Sequence, residues 1–205
     1  MKELDLRKWP EPTKIIRKHL DYRYGKTMEF IRKHMPVSPI LDIGPENEHG
    51  MKLFREIGAE YHCTTGDLNR RWHDSPMIKE VYNTVFCFEV LEHLINPGTF
   101  LDKLKGYIAH DANVFVSVPR RGLFEWYGSK TKFSSDYHFH EFTEKQIRCL
   151  FKETGYEVID HNQFLRAVPF VELFGSWRRI LRTLMGRQIQ IVTRTQLYLL
   201  RVKND

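Results

Sequence analysis

The stretch Ile40-Leu41-Asp42-Ile43-Gly44 decides the fold class. It is a short apolar run that ends at a glycine, which is typical of a strand buried on both faces of a parallel sheet. Further strands are expected at 61–65, 82–88 and 114–118, the last two of which are largely apolar. Stretches with helical spacing of apolar residues separate them. Alternation of strands and helices predicts an open α/β sheet, in which ligands bind at the carboxyl ends of the strands.

The segments around these strands complete the predicted element order. Helices are expected at 12–34, 48–58, 144–154 and 168–186, and further strands at 156–159 and 196–202. A short helix is expected to start at Leu91 and to be interrupted by Pro97, and the apolar stripe from Phe100 to Ile108 predicts another helix. Thr143 and Gln146 have capping-box spacing. Residues 69–81 hold the least certain strand, because they contain Pro76 and little alternation.

Composition excludes several classes of protein. The chain has 205 residues, 41% of them hydrophobic and 28% charged, which indicates one globular domain over 1–205 rather than a disordered segment. The cysteines are three, far apart and without a Cys-x-x-Cys pair, so neither a disulfide framework nor a zinc finger is expected. We find neither a signal-peptide pattern nor a run of about 20 apolar residues, and we expect a cytoplasmic protein.

Charge is unevenly distributed along the chain. Residues 1–35 hold ten basic and five acidic residues, residues 36–163 hold fourteen and nineteen, and residues 164–203 hold eight and one. The acidic middle, which contains the candidate site, argues against a nucleic-acid groove across it. The basic ends could meet an anionic surface, so a peripheral membrane contact and an RNA-directed activity stay open as alternatives.

Four segments in this order resemble a known family. They are Ile40–Gly44, Gly66-Asp67-Leu68, Val85-Phe-Cys-Phe-Glu-Val-Leu-Glu-His-Leu94 and Val114–Pro119. The set looks like the class I S-adenosylmethionine-dependent methyltransferases, in the subgroup with a Leu-Glu-His helix start. The turn His138-Phe-His-Glu-Phe-Thr143 also resembles that subgroup. The resemblance covers about 36–163 and implies a Rossmann-like, doubly wound, mostly parallel sheet of seven strands, with helices on both faces and one antiparallel strand near the C-terminus.

The resemblance also implies a cofactor site at the strand ends. Asp67 is the candidate for the ribose hydroxyls, since a carboxylate can accept both hydrogen bonds. Gly44 lets the backbone approach the ligand, while Asp42 either orders the first loop or meets the ligand ammonium through water. Phe88 and Glu89 would lie near the methionine part. The full candidate set for S-adenosyl-L-methionine is Asp42, Gly44, Pro45, Asp67, Leu68, Phe88 and Glu89.

The first loop departs from the family pattern. Glu46 and Glu48 stand where the second and third glycines of Asp-x-Gly-x-Gly-x-Gly usually lie. Either the loop is rearranged, with Gly50 as the late glycine, or cofactor binding is weakened. A non-enzymatic relative with a degenerate loop therefore stays open as an alternative.

Methyl transfer from a sulfonium needs alignment, and a general base only where the acceptor must lose a proton. Histidine suits that role near neutral pH, so His93, His138 and His140 are the catalytic candidates; a structural role is the alternative for each. No metal is expected. The position after the fourth strand of the resemblance reads Phe88-Glu89-Val90-Leu91, without the Pro-Pro or Pro-Cys turns of DNA methyltransferases. The expected acceptor is a small molecule, or a glycan or lipid-linked group.

Three segments fall outside the resemblance or form long loops. Residues 1–35 are expected to form a helical extension, and 120–140 and 164–187 are candidates for a lid or cap over the acceptor. Within the last, 176–186 places Trp177, Ile180, Leu181 and Leu184 on one helical face with arginines elsewhere. That face could bind a membrane or lipid-linked acceptor, hold a second subunit, or complete the core.

Overall fold

The computed structural model describes residues 14–44, 60–64, 68–69, 81–120, 139–167 and 192–203. Its α-helices and strands, in chain order, are α1 (Lys14–Lys33), β1 (Ile40–Asp42), β2 (Tyr61–Cys63), β3 (Tyr82–Phe88), α2 (Pro97–Leu104), β4 (Ile108–Arg120), α3 (Glu144–Glu153), β5 (Tyr156–Ala167) and β6 (Val192–Val202). Single 3-10 turns at Leu91–His93 and Lys105–Tyr107 flank α2.

The described strands form one mixed six-stranded sheet in the order β2-β1-β3-β4-β6-β5. β1 pairs in parallel with both β2 and β3, and β3 pairs in parallel with β4. β6 is antiparallel to β4 and to β5, which confirms the antiparallel strand expected near the C-terminus. The chain passes from β1 to β2 on one side and then returns to β3 on the other. The strand order therefore reverses between β1 and β3, which is where open α/β sheets bind ligands.

Both faces of the sheet are packed, because successive strand residues point to opposite faces. In β3, Val85 and Cys87 join one buried cluster, while Phe86 joins the other. α1 contributes Phe30 and Ile31 to the second cluster. α2 and α3 pack on the opposite face through a set of fully or nearly fully buried residues: Phe100, Leu101, Leu104, Ile147 and Phe151. Burial of each such side chain contributes ~1.5–3 kcal/mol.

Two local predictions are wrong. Pro97 does not interrupt a helix: it is the first residue of α2, where its missing N–H costs nothing, and the Asn96 side chain caps the helix by accepting from Thr99 N at 3.0 Å. The apolar stripe from Phe100 is α-helical to Leu104 and continues as a 3-10 turn to Tyr107, so the prediction is wrong only for its last residue, Ile108, which begins β4. The capping box at Thr143 and Gln146 is confirmed and starts α3.

Other predicted elements fall on parts of the chain outside the described residues. They are the seventh strand expected within 69–81, the helices at 48–58 and 168–186, most of the 120–140 loop, and the amphipathic face at 176–186. The seven-stranded, doubly wound arrangement therefore stays a prediction. In the part of the chain that the structure describes, none of the helices is long and apolar enough to span a membrane.

Candidate functional site

Two residues with positive φ mark the carboxyl ends of β1 and β3. Gly44 has φ +135° and Glu89 has φ +55°. The strands they follow are adjacent and parallel, with Asp42 in register with Phe86. A left-handed backbone is costly for a residue other than glycine, and such residues cluster at functional sites. The chain thus turns sharply at two neighbouring points, both at the reversal of strand order.

Position 44 requires a glycine because of its backbone conformation, rather than because a side chain there would lack space. A side chain added there would meet Val90 Cγ2 at 3.7 Å, an ordinary contact, but the φ value is one that other residues rarely adopt. Its N–H donates to Thr64 Oγ1 at 3.0 Å. This bond ties the end of β1 to the end of β2, so the first turn of the site is held from both neighbouring strands.

Glu89 lies in a set of short polar contacts. Its N–H donates to the Ser117 carbonyl oxygen at 3.0 Å. Ser117 Oγ donates to Glu89 Oε1 at 2.9 Å, and Arg23 NH1 donates to Glu89 Oε2 at 3.0 Å. The Arg23 and Glu89 side chains are only 23% and 22% exposed. Helix α1 therefore brings a guanidinium directly to the carboxylate at the end of β3.

Asp42 is a buried carboxylate, 7% exposed, in the last position of β1. Its Oδ2 accepts a hydrogen bond from the Tyr61 hydroxyl of β2 at 2.9 Å. Burial raises the pKa of Asp42 to about 6, and the Tyr61 hydrogen bond opposes that rise. Asp42 thus links β1 to β2, one residue before the strand gives way to the turn at Gly44.

Glu92 is fully buried in the 3-10 turn that follows β3. Neither of its carboxyl oxygens has a hydrogen-bond partner among the described residues. Burial, together with the negative charge of Glu89, raises the pKa of Glu92 to about 9. A carboxyl group in these surroundings is protonated and neutral at pH 7, because its ionised form would be neither solvated nor paired.

The turn that carries Glu92 and His93 is held by the short segment after β2. Asn69 donates from Nδ2 to the His93 carbonyl oxygen at 3.0 Å and accepts at Oδ1 from Ile95 N at 2.6 Å. Leu68 packs against the core cluster on the α2 and α3 face. The carboxyl ends of β2 and β3 are therefore cross-linked, and His93 is half-buried at that junction.

His140 lies against the same turn. Its backbone N–H and that of Phe139 both donate to the Glu92 carbonyl oxygen, at 3.2 and 2.8 Å. The ring stacks on Phe142 with 5.5 Å between centroids, and Nε2 lies 3.4 Å from the Ile95 carbonyl oxygen. Since a carbonyl oxygen only accepts, Nε2 is the donor wherever this contact is a hydrogen bond, and Nδ1 is then the nitrogen that could accept a proton in the neutral ring.

The structure brings together most of the described residues that the sequence singles out. Asp42, Gly44, Phe88 and Glu89 end neighbouring strands, and His140 contacts the turn that carries His93. Pro45, Asp67 and His138 lie outside the described residues. Phe88 is half-buried and stacks on Phe86 at 5.3 Å, on the face covered by α1.

Sequence reasoning missed Arg23 and Ser117, the two side chains bonded to Glu89. Ser117 carries a weak signal, since it is the one polar residue in the run Val114-Phe115-Val116-Ser117-Val118. Arg23 carries none, because it is one of several basic residues spaced along the predicted helix at 12–34. Among the described residues no group of three or more His, Cys, Asp or Glu side chains could hold a metal ion.

Comparison with known proteins identifies the family. A family model described as a methyltransferase domain matches residues 16–161. No curated protein sequence matches the chain significantly. Among solved structures, a candidate methyltransferase from Bacillus halodurans superposes with TM-score 0.63 and 11% identity, over 89% of this chain and 100% of that one.

Two further structures share the fold and contain S-adenosylhomocysteine. Magnesium protoporphyrin IX methyltransferase from Synechocystis has TM-score 0.53 and 12% identity, over 94% of this chain and 90% of that one. Phosphoethanolamine N-methyltransferase 2 from Haemonchus contortus, also bound to phosphomonomethylethanolamine, has TM-score 0.54 and 14% identity, over 88% of this chain and 53% of that one. The chain belongs to the methyltransferase-domain family.

Proposed function

We propose that the chain binds S-adenosylmethionine across the carboxyl ends of β1, β2 and β3 and methylates a small-molecule, glycan or lipid-linked acceptor. The observation that carries this proposal is the pair of left-handed turns at Gly44 and Glu89, side by side at the reversal of strand order. The place matches the general rule for ligand sites in open α/β sheets. The Leu91-Glu92-His93 turn, which links this edge to His140, supports membership of the Leu-Glu-His subgroup.

The charges at this edge fit the methionine part of the cofactor. That part is an amino acid, with one ammonium and one carboxylate group. Glu89 and Arg23 offer the complementary pair, with their charged atoms 3.0 Å apart. Glu89 would accept a hydrogen bond from the ligand ammonium, and Arg23 would donate one to the ligand carboxylate. Each side chain would then replace part of its present contact with the other by a contact with the ligand.

Electrostatics also favour a cation at this place. Asp42 and Glu89 put two carboxylates at adjoining strand ends, and Glu92 lies beside them. A positively charged sulfonium over this acidic edge would be attracted, and its approach would favour ionisation of the buried acids. The described residues therefore fit S-adenosylmethionine in charge as well as in backbone shape.

The remaining candidates are assigned by their place in the chain. Asp67, next to Leu68 after β2, would accept from the ribose hydroxyls. Phe88 and Leu68 would supply apolar contact around the nucleoside, and Pro45 would shape the first loop. Asp42 acts through position: its bond to Tyr61 fixes the strand end on which Gly44 turns.

When bound, S-adenosylmethionine supplies a methyl group on a positively charged sulfur and leaves as S-adenosylhomocysteine once an acceptor lone pair has bonded to the methyl carbon. The protein aligns the acceptor and excludes water. His140 is the candidate among the described histidines for taking a proton from an acceptor hydroxyl, at Nδ1, because Nε2 faces the Ile95 carbonyl. His93 and His138 complete the catalytic set that we propose.

Calorimetric titration with S-adenosylhomocysteine tests the cofactor site. Wild type should bind one molecule per chain, and Asp67→Ala should weaken binding by ~1.5–3 kcal/mol, the size of a hydrogen bond to a charged group. That corresponds to about 10- to 150-fold in the dissociation constant. Asp111→Ala is the matched control, since Asp111 is an exposed residue in the amino-terminal half of β4.

Equal affinity of Asp67→Ala and wild type would remove Asp67 from the site. Absence of binding to the folded wild-type protein would instead favour the alternative of a non-enzymatic relative whose first loop, with Glu46 and Glu48, no longer accepts the cofactor.

A further inference from the structure

Glu92 is the buried acidic group beside the proposed cofactor site to which that proposal assigns no ligand contact. It is fully buried, and neither of its carboxyl oxygens has a hydrogen-bond partner among the described residues. Almost all buried polar groups in proteins are hydrogen-bonded, because an unpaired one loses its contacts with water and gains none in return. The fold gains no stability from a carboxyl group here, which points to a role in ligand binding.

The turn that carries Glu92 is held by the segment before α3. The Glu92 carbonyl oxygen accepts hydrogen bonds from the N–H groups of Phe139 and His140. The His140 ring stacks on Phe142 and lies against the Ile95 carbonyl oxygen, so the imidazole has partners of its own. The carboxyl group of Glu92 is therefore kept inside the fold, where it responds to a nearby charge by losing or gaining a proton.

Charged and titratable groups face Glu92 from three elements. Burial and then the charge of Glu89, at the end of β3, raise the pKa of Glu92, whereas Arg23 of α1 lowers it. Within β3, burial and then the charges of Glu92 and Asp42 raise the pKa of the Cys87 thiol well above its usual range. Glu92 is therefore close to the ends of both β1 and β3, and to the Arg23–Glu89 pair that we propose for the methionine part of the cofactor.

The two forms of the cofactor differ in charge at the sulfur atom. S-adenosylmethionine carries a positive sulfonium, whereas S-adenosylhomocysteine carries a neutral thioether, and the other charged groups are the same in both. Away from water an ionised carboxylate attracts a nearby cation strongly, but without a cation it is costly to keep. A buried acid that is neutral when alone and ionised beside the sulfonium therefore distinguishes the two forms.

We infer that Glu92 is the residue by which the site prefers S-adenosylmethionine to S-adenosylhomocysteine, releasing a proton to solvent when the sulfonium binds. In methyl transfer the bond between sulfur and the methyl carbon breaks, its electron pair stays on sulfur, and the methyl carbon bonds to the acceptor. Glu92 then has no cation beside it and regains a proton from solvent, so the product is held less tightly. Glu92 acts through its charge and forms no bond to the methyl group. The inference rests on the proposed function.

The preference should depend on pH. Without ligand, Glu92 keeps its proton to about pH 9. Below that pH the sulfonium has to displace the proton, so the affinity for S-adenosylmethionine should rise with pH by up to about tenfold per unit. S-adenosylhomocysteine leaves Glu92 protonated, and its affinity gains no such dependence from this residue.

Calorimetric titration of the full chain at pH 8, with each form of the cofactor in phosphate and in Tris buffer, counts the protons released on binding. The two buffers take up a released proton with different heats, so the measured heat differs between them. Wild type should release about one proton more with S-adenosylmethionine than with S-adenosylhomocysteine. Asp42 is already ionised at this pH, because burial raises its pKa only to about 6.

Glu92→Gln keeps the size of the side chain and removes the proton that can be released. It should abolish the difference in proton release and reduce the ratio of the two affinities about tenfold at pH 8. Glu92→Asp keeps an ionisable carboxyl group and should retain the difference, which a merely structural role of Glu92 would not require. Glu153→Gln, at an exposed position in α3, is the matched control and should behave as wild type.

Equal proton release with the two forms in wild type would overturn the inference. So would a difference that persists in Glu92→Gln, because another group, such as His93 or His140, would then release the proton. If Glu92→Gln does not fold, the wild-type pH profile decides, and a ratio of the two affinities that stays constant between pH 6.5 and 8.5 overturns the inference. Binding of both forms with equal proton release defeats this inference alone, whereas binding of neither form to the folded wild type defeats the proposed function.

Discussion

The two parts of the carboxyl edge of the sheet, one at the ends of β1 and β3 and the other at the end of β4, differ in charge. At the ends of β1 and β3, Asp42, Glu89 and the neutral Glu92 gather acidic groups, with Arg23 from α1 as the described counter-charge. At the end of β4, Arg120 and Arg148 lie around the Glu144 carboxylate, with Arg120 NH1 at 4.0 Å and Arg148 Nε at 3.1 Å. In our proposed function, the cationic sulfonium of the cofactor would meet the acidic part at β1 and β3. The difference shows that acidic and basic side chains can be separated along one edge of a single sheet.

The largest expected effect concerns the acidic part and the pH dependence of stability. In the unfolded chain Glu92 loses its proton near its ordinary pKa of 4.5, whereas in the fold it keeps that proton to about 9. Between these two pH values, ionisation of Glu92 stabilises the unfolded state but not the folded state. The free energy of unfolding should therefore fall as pH rises, by at most ~1.4 kcal/mol per pH unit from this group.

Glu92→Gln should remove most of that slope, since an amide is neutral at every pH. Urea unfolding at several pH values between 5 and 9 measures it. Glu153→Gln, at an exposed position in α3, is the control and should leave the slope unchanged. Asp42 contributes a slope of the same sign below pH 6, because burial raises its pKa as well. A slope that is identical in wild type and Glu92→Gln would contradict a neutral buried Glu92.

The next effect concerns the turn at the end of β1. Gly44→Ala should destabilise the fold by ~1–3 kcal/mol, because alanine rarely adopts φ +135°. It should also weaken S-adenosylhomocysteine binding, since the turn is part of the cofactor edge. Gly25→Ala is the control: it lies within α1, an added Cβ has no heavy atom within 4 Å, and alanine should stabilise that helix by roughly 0.5–1 kcal/mol. If Gly44→Ala and Gly25→Ala shifted the midpoint of thermal unfolding in the same direction, the result would contradict the explanation from the backbone conformation of Gly44.

The smallest of these effects tests the bond between α1 and the site. Arg23→Gln should weaken S-adenosylhomocysteine binding about tenfold, ~1.4 kcal/mol, because the ligand carboxylate loses a charged donor. Lys26→Gln, one turn further along α1 and paired with Glu29 rather than with the site, should leave the affinity within a factor of two. Tighter binding by Arg23→Gln would show instead that Arg23 competes with the ligand ammonium for Glu89.

The strand ends that carry Gly44 and Glu89 could be predicted from the sequence, because the residues that indicate them are next to one another in the chain. Gly44 and Glu89 each come within two residues of the end of a buried strand, and the alternation of strands with helical stretches predicts that these ends lie on one edge of an open α/β sheet. The side-chain contacts at the end of β4 could not be predicted in this way. Arg120 and Gln163 are far apart in the chain and bond only because β4 and β5 both lie beside β6. The same holds for Arg23 and Glu89, which tertiary packing of α1 brings together.

Local errors in the helices have equally specific causes. Pro97 suggested an interruption, because proline inside a helix removes a hydrogen bond, whereas at the first position it removes none. β4 is 13 residues long, far more than the apolar run at 114–118, because it also includes the exposed His110 and Asp111 before the run and the half-buried Pro119 and Arg120 after it. Periodicity detects the buried part of an element, and backbone pairing can carry the element further.

Hydrogen exchange measured by mass spectrometry, with and without S-adenosylhomocysteine, tests the central claim most directly. The account predicts ligand-dependent protection in peptides covering 40–44 and 86–93, where Gly44 and Glu89 turn, and none at 108–113, at the opposite end of β4. Protection at 108–113 without protection at 40–44 and 86–93, or no saturable protection at all, would contradict a cofactor site at the reversal of strand order.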